Sequence, residues 1–164
     1  MENGKILVSE NSGTYILKFI GDVRLTLCAT LDDFLESMCC SNLLNAILID
    51  LTETEGIDST SLGLLAKISV LARKKYNLIP VIVSTNQDIT RILESMGFHR
   101  VFVILDSPVS NVSQLNELPV IAGSETLVHA KVLEAHKILM EMNDSNKETF
   151  RELVYTLEGE GKHN

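Results

Sequence analysis

At 164 residues the chain has the length of one ordinary domain, with room for a small appendage. Hydrophobic residues make up 45% and charged residues 22%, which supports a packed core without disulfide or metal staples. The net charge of −8 argues against an unassisted binder of nucleic acid, because a phosphate backbone wants a basic patch.

In chain order, Lys5 to Glu10 reads as a short strand. Asn11-Ser12-Gly13 is a turn signal, and Thr14 to Ile20 is a second β-rich run, so the two form a hairpin. "TLDDFLESM" follows, with Thr30 as expected N-cap and Leu31, Phe34, Leu35 and Met38 at helical spacing. "NAILIDL", Asn45 to Leu51, is continuously apolar up to Asp50, as in a central strand buried on both faces. A corner with three hydroxyl residues in a row, Ser59, Thr60 and Ser61, leads into a helix. Leu62, Leu65, Ile68, Ser69 and Ala72 mark one side of it, and it reaches about Lys75.

"LIPVIVS" is another buried strand with Pro80 at its start. "NQDITRILESMGF" is a helix stopped by Gly97, and "RVFVIL" is the last strand. The order β-β-α-β-α-β-α-β predicts an α/β fold with a mostly parallel sheet and an antiparallel edge hairpin. From Asp106 the texture turns polar. Residues 107–123 read as a linker and 124–164 as a C-terminal helical extension, after a first domain of residues 1–106. In the extension's first helix, Val128, Val132, Ala135, Leu139 and Met142 form a narrow apolar seam. The second begins at Ser145 with Glu148 as a capping box, and carries Phe150, Leu153, Val154 and Leu157.

The apolar runs are all shorter than the roughly 18 residues of a membrane span, and Met1 to Lys5 shows no apolar signal core. Cys28, Cys39 and Cys40 lack CxxC spacing, so neither a disulfide framework nor a zinc site is expected. The expected compartment is a reducing cytoplasm. His129 and His136 share a helix face about 10 Å apart at 1.5 Å rise per residue, too far for one metal, and read as surface histidines. Cys39-Cys40 reads as the buried end of a helix. The Asn111-Val112-Ser113 sequon carries no meaning in a cytoplasmic protein. Asp50 and Asp58 lack the companion acids and lysine of a receiver pocket. No cofactor, metal or catalytic residue is expected.

On residues alone, the hydroxyl run caps a helix, because Ser and Thr are favoured N-caps. The wider stretch Ile47 to Leu65, "ILIDLTETEGIDSTSLGLL", resembles the core signature of STAS domains, and more narrowly that of bacterial anti-sigma factor antagonists. In that family a strand ends in Asp-Leu, and Asp-Ser-(Ser/Thr)-Gly-Leu-Gly opens a helix. Asp58, Ser59, Thr60, Leu62 and Gly63 match in register, while Ser61 stands where the family usually has Gly. The resemblance covers roughly residues 4 to 106.

The resemblance implies a binding module and kinase substrate, not an enzyme. Ser59 would be the phosphorylation site, with Thr60 the alternative; Thr60 and Ser61 keep the capping role. Arg24, Asp58, Thr60, Ser61, Leu62 and Gly63 would contact the partner. That partner would be an anti-sigma factor or serine kinase, and a PP2C-type phosphatase would reverse the mark. Arg24 departs from the family, which commonly carries an acid there; it could pair with a phosphate on Ser59. The other reading is a non-switching STAS scaffold, or an accessory subunit of a sensory complex or lipid transporter. The C-terminal helices either pack on the domain or dock a second protein client.

Overall fold

A computed structural model describes residues 3–108 and 114–162, the last three without their side chains. The Asn111-Val112-Ser113 sequon lies outside the described residues. Two strands, β1 (Lys5–Asn11) and β2 (Thr14–Val23), form the expected hairpin. Its turn needs the positive φ of Ser12 (52°) and Gly13 (88°). A Cβ on Gly13 would also stand 1.6 Å from the Leu43 carbonyl oxygen, so only glycine fits.

A 3-10 turn at Leu25–Leu27 leads straight into α1 (Cys28–Cys39). Thr30 is therefore inside the helix and not its N-cap. Its buried hydroxyl oxygen accepts from the Ile121 N–H at 2.8 Å instead, pinning the later wrapping segment. Strand β3 (Ala46–Ile57) runs six residues past Leu51, the end of the expected strand. It pairs in parallel with β2 as far as Val23↔Ile57, absorbing two irregularities near Lys18 and Gly21 on the way.

Helix α2 (Ser59–Tyr76) ends on a left-handed Asn77, with Arg73, Lys74 and Lys75 at the negative end of its dipole. Then come β4 (Val81–Val83), α3 (Gln87–Ser95) and β5 (Val103–Leu105). Asn86 caps α3 by accepting from the Asp88 N–H, and Gly97 follows the helix at φ 85°. A two-residue strand, β6 (Asn116–Glu117), lies in the segment read as linker and pairs with β1. The sheet order is β5-β4-β3-β2-β1-β6, parallel from β5 to β2 and antiparallel through β1 to β6.

Two further helices, α4 (Glu125–Met142) and α5 (Asp144–Lys162), form a hairpin. Ser124 caps α4 by accepting from the Leu127 N–H. Asn143, not Ser145, caps α5: its side-chain oxygen accepts from the Asn146 N–H at 2.8 Å. The hairpin shares the main core. Ala135, Leu139 and Phe150 belong to the same buried cluster as Leu17, Phe19, Ile49, Leu62, Leu65 and Ile68.

Candidate functional site

Parallel pairing of β2 and β3 to their C-terminal ends puts two chain exits side by side. The Asp58 N–H donates to the Val23 carbonyl at 3.1 Å, so the loop that starts at Arg24 lies against the start of α2. Asp58 then holds both. One carboxylate oxygen accepts from the Ser61 N–H at 2.8 Å, and the other from the Leu25 N–H at 2.7 Å. The helix cap is thus Asp58, where Thr60 and Ser61 had been expected to serve. Thr60, Ser61, Leu62 and Gly63 are all buried in the first turns of α2.

Ser59 is the first helical residue and is half-buried. Its hydroxyl lies 2.7 Å from Nε2 of His136, a residue 77 positions away on α4. The imidazole's other nitrogen, Nδ1, is 2.6 Å from the Val132 carbonyl oxygen. A carbonyl can only accept, so Nδ1 carries the proton. In the neutral ring Nε2 is then an acceptor, and the Ser59 hydroxyl donates to it. Phe150 of α5 packs its ring across the imidazole, with centroids 5.1 Å apart and planes at 70°. His136 is only 2% exposed, so the surface reading of this histidine is wrong; His129 is half-buried.

The close approach of α4 to α2 depends on Gly63. A Cβ there would lie 2.3 Å from the Ala135 carbonyl oxygen and 2.6 Å from the Ala135 Cβ. A second tie is ionic. Asp32 of α1, 4% exposed, takes Lys67 of α2 at 2.7 Å and Lys131 of α4 at 2.6 Å, and Lys67 also donates to Glu134 at 2.8 Å. Burial pushes the Asp32 carboxyl up, but the hydrogen bonds from Lys131 and Lys67 outweigh it and leave it below the usual range. Burial likewise lowers Lys67, and its bonds to Asp32 and Glu134 more than reverse this. The third tie is Asn146, whose buried amide donates to the carbonyls of Met96 and Leu139, both at 2.9 Å.

Arg24 is exposed and its Nε donates to Asp22 at 2.9 Å. This bond, with the charge of Asp22 and a smaller effect of Asp58, raises the guanidinium further above its normal range. Asp50 has its own local partners, accepting from the Thr52 N–H and hydroxyl. Cys39 is buried, but Cys40 is exposed, which corrects the reading of the pair as buried; burial pushes the Cys28 and Cys39 thiols up, away from the reactive thiolate. Among the described residues no three His, Cys, Asp or Glu gather around a possible metal ion. No helix there is long and apolar enough to cross a membrane.

The sequence model of the STAS domain matches residues 5–114, two thirds of the chain. The chain belongs to the STAS-domain family. Among solved structures, the fold is similar to that of the anti-sigma factor antagonist SpoIIAA in its unphosphorylated form. The TM-score is 0.53 at 10% identity, over 63% of this chain and 89% of that one. No curated protein matches.

The sequence pointed to Arg24, Asp58 and Ser59, and not to His136, which the fold places against Ser59. The signal was present, since His136 follows Ala135 on the α4 seam. Polar character, however, argued for solvent, and nothing in the sequence says which helix the seam meets.

Proposed function

We propose that this STAS protein is a phosphorylation-controlled anti-sigma factor antagonist. With Ser59 unmodified it binds an anti-sigma factor or switch kinase and frees a sigma factor; with Ser59 phosphorylated it lets go. One observation carries the reading. Ser59 opens α2 directly after its capping acid, at the end of the β3 strand, within a STAS domain whose fold matches an anti-sigma factor antagonist.

The chemistry fits such a switch. Phosphate adds roughly −1.5 to −2 charges. At the positive end of an 18-residue helix that charge leaves the sheet and α2 standing. In a partner's interface beside Asp58 it is repelled and desolvated at a cost. In this reading the partner touches the outer rim, Arg24, Asp58 and Ser59, while buried Thr60, Ser61, Leu62 and Gly63 hold that rim in shape. Arg24 leaves Asp22 for the phosphate when Ser59 is modified. The setting is bacterial and cytoplasmic, and a PP2C-type phosphatase removes the mark.

The test is phosphopeptide mapping of the protein isolated from its own host, before and after treatment with a PP2C-type phosphatase. Phosphate on Ser59 that the phosphatase removes is the expected result, with faster removal in Arg24→Ala. Phosphate on Thr60 or Ser61 with Ser59 bare overturns the assignment. An unmodified protein under all growth conditions favours the scaffold reading instead.

A further inference from the structure

The C-terminal hairpin lies where a modification on Ser59 would be felt first. Ser59 donates its hydroxyl proton to a histidine that is otherwise sealed by Val132, Phe150 and the α2 surface. One turn further along α2, the two helices touch at backbone distance through Gly63 and Ala135, with no room even for a methyl group. We propose that the Ser59–His136 bond is a latch, and that phosphorylation of Ser59 releases the α4–α5 hairpin from α2. The proposal rests on Ser59 as the phosphosite and adds what that modification does within the chain.

Three physical effects act in the same direction. Phosphorylation replaces the hydroxyl proton by a phosphoryl group, so the Ser59 O–H that donates to Nε2 of the neutral imidazole is gone. The phosphoryl group is bulkier than the proton it replaces on an oxygen 2.7 Å from Nε2, so this contact cannot persist in its present geometry. The lysines of this interface, Lys67 and Lys131, are already engaged by Asp32 and Glu134, and the nearest chain neighbour of Ser59 is the carboxylate of Asp58. Opening the hairpin uncovers Ala135, Leu139 and Phe150, all buried in the closed form. The switch then changes a second surface, well away from the modified hydroxyl.

Hydrogen exchange read by mass spectrometry on the full chain tests this without a kinase. Four proteins are compared: wild type, Ser59→Ala, Ser59→Asp, and a chain carrying phosphoserine at position 59 installed during synthesis. Peptides from α4 and α5 should exchange at least about tenfold faster in the phosphoserine chain, the scale expected when a buried acceptor loses its donor. Ser59→Asp should follow in the same direction, and Ser59→Ala should show a smaller rise. Peptides from β2 and β3 should be unchanged, which separates hairpin release from general unfolding.

Hairpin protection equal to or greater than wild type in the phosphoserine chain overturns the latch, even if mapping in the host finds Ser59 phosphorylated. Equal loosening of sheet and hairpin overturns it too. A loosened hairpin in a protein whose Ser59 is never modified in its host leaves the mechanical coupling standing and removes its physiological trigger, which refutes the proposal as stated.

Discussion

Gly63 carries two demands at once. It completes the family motif after Ser59, and it is the point where α4 comes down on α2. The added Cβ of Gly63→Ala would meet the Ala135 carbonyl oxygen at 2.3 Å, and a backbone oxygen cannot swing aside as a side chain can. Overpacking of this kind costs about 1–3 kcal/mol. We expect Gly63→Ala to lower stability by that amount in urea denaturation, through loss of hairpin docking. Ala135→Gly should not rescue it, because it removes the Ala135 methyl and leaves the carbonyl. A Gly63→Ala protein as stable as wild type would mean that α4 can shift at no cost. The site's outer residues behave differently: Arg24 is exposed and its partner Asp22 half-buried, so their ion pair is partly screened, and Arg24→Ala should cost stability less than Gly63→Ala while changing the phosphate chemistry.

Among the elements, α4 is held by charge as well as by shape. Asp32 is the hub, joining α1 to Lys67 of α2 and Lys131 of α4. Its carboxyl lies lower in the folded chain than its ordinary value of 3.8, so its contribution is present above about pH 4 and disappears as acid protonates it below that. Lys67 lies above its ordinary 10.5, so its contribution holds below that value and is lost as alkali carries the pH past it. Asp32→Asn should therefore loosen α4 at neutral pH, because it takes the Asp32 carboxylate from half-buried Lys131 and leaves half-buried Lys67 with Glu134 alone. The stability gap between Asp32→Asn and wild type, measured by urea denaturation, should close below about pH 4. A gap that persists unchanged at pH 2 would show that lost packing, not lost charge, causes it. None of this network was legible beforehand: Asp32, Lys67 and Lys131 are scattered charges until α1, α2 and α4 are brought together. The elements themselves were legible, because continuous apolar runs such as Ile47 to Leu51 and 3.6-residue spacing in α2 are local signals. The overrun of β3 to Ile57 was not, because "TETEG" pairs with β2 despite its polar composition, and only the neighbouring strand makes it a strand.

At the scale of the whole molecule, the question is whether the hairpin is an accessory or part of the body. Residues 124–158 carried an apolar seam in the sequence, but a seam fits a neighbouring sheet domain as well as it fits a foreign helix. Its packing settles on the first: Ala135, Leu139, Phe150 and Val154 are all nearly inaccessible, and Asn146 bonds across to Met96 at the end of α3. Burying such aliphatic and aromatic side chains is worth roughly 1.5–3 kcal/mol each, before the entropy of ordering the hairpin is set against it. A chain cut after Ser110 loses these contacts and β6, and exposes the face of α2 around Gly63. Its melting temperature should fall by about 10 °C or more, or it should aggregate, since each kcal/mol lost shifts the midpoint by a few degrees at this size. The latch asks for less than that. Local opening of α4–α5 with the sheet intact has a lower free energy than global unfolding, so one chain can be destabilised by truncation and still open reversibly at Ser59. A truncated domain that melts with the full chain would place the hairpin outside the body. The Ser59–His136 bond would then be a contact with no mechanical consequence for the domain that carries the switch.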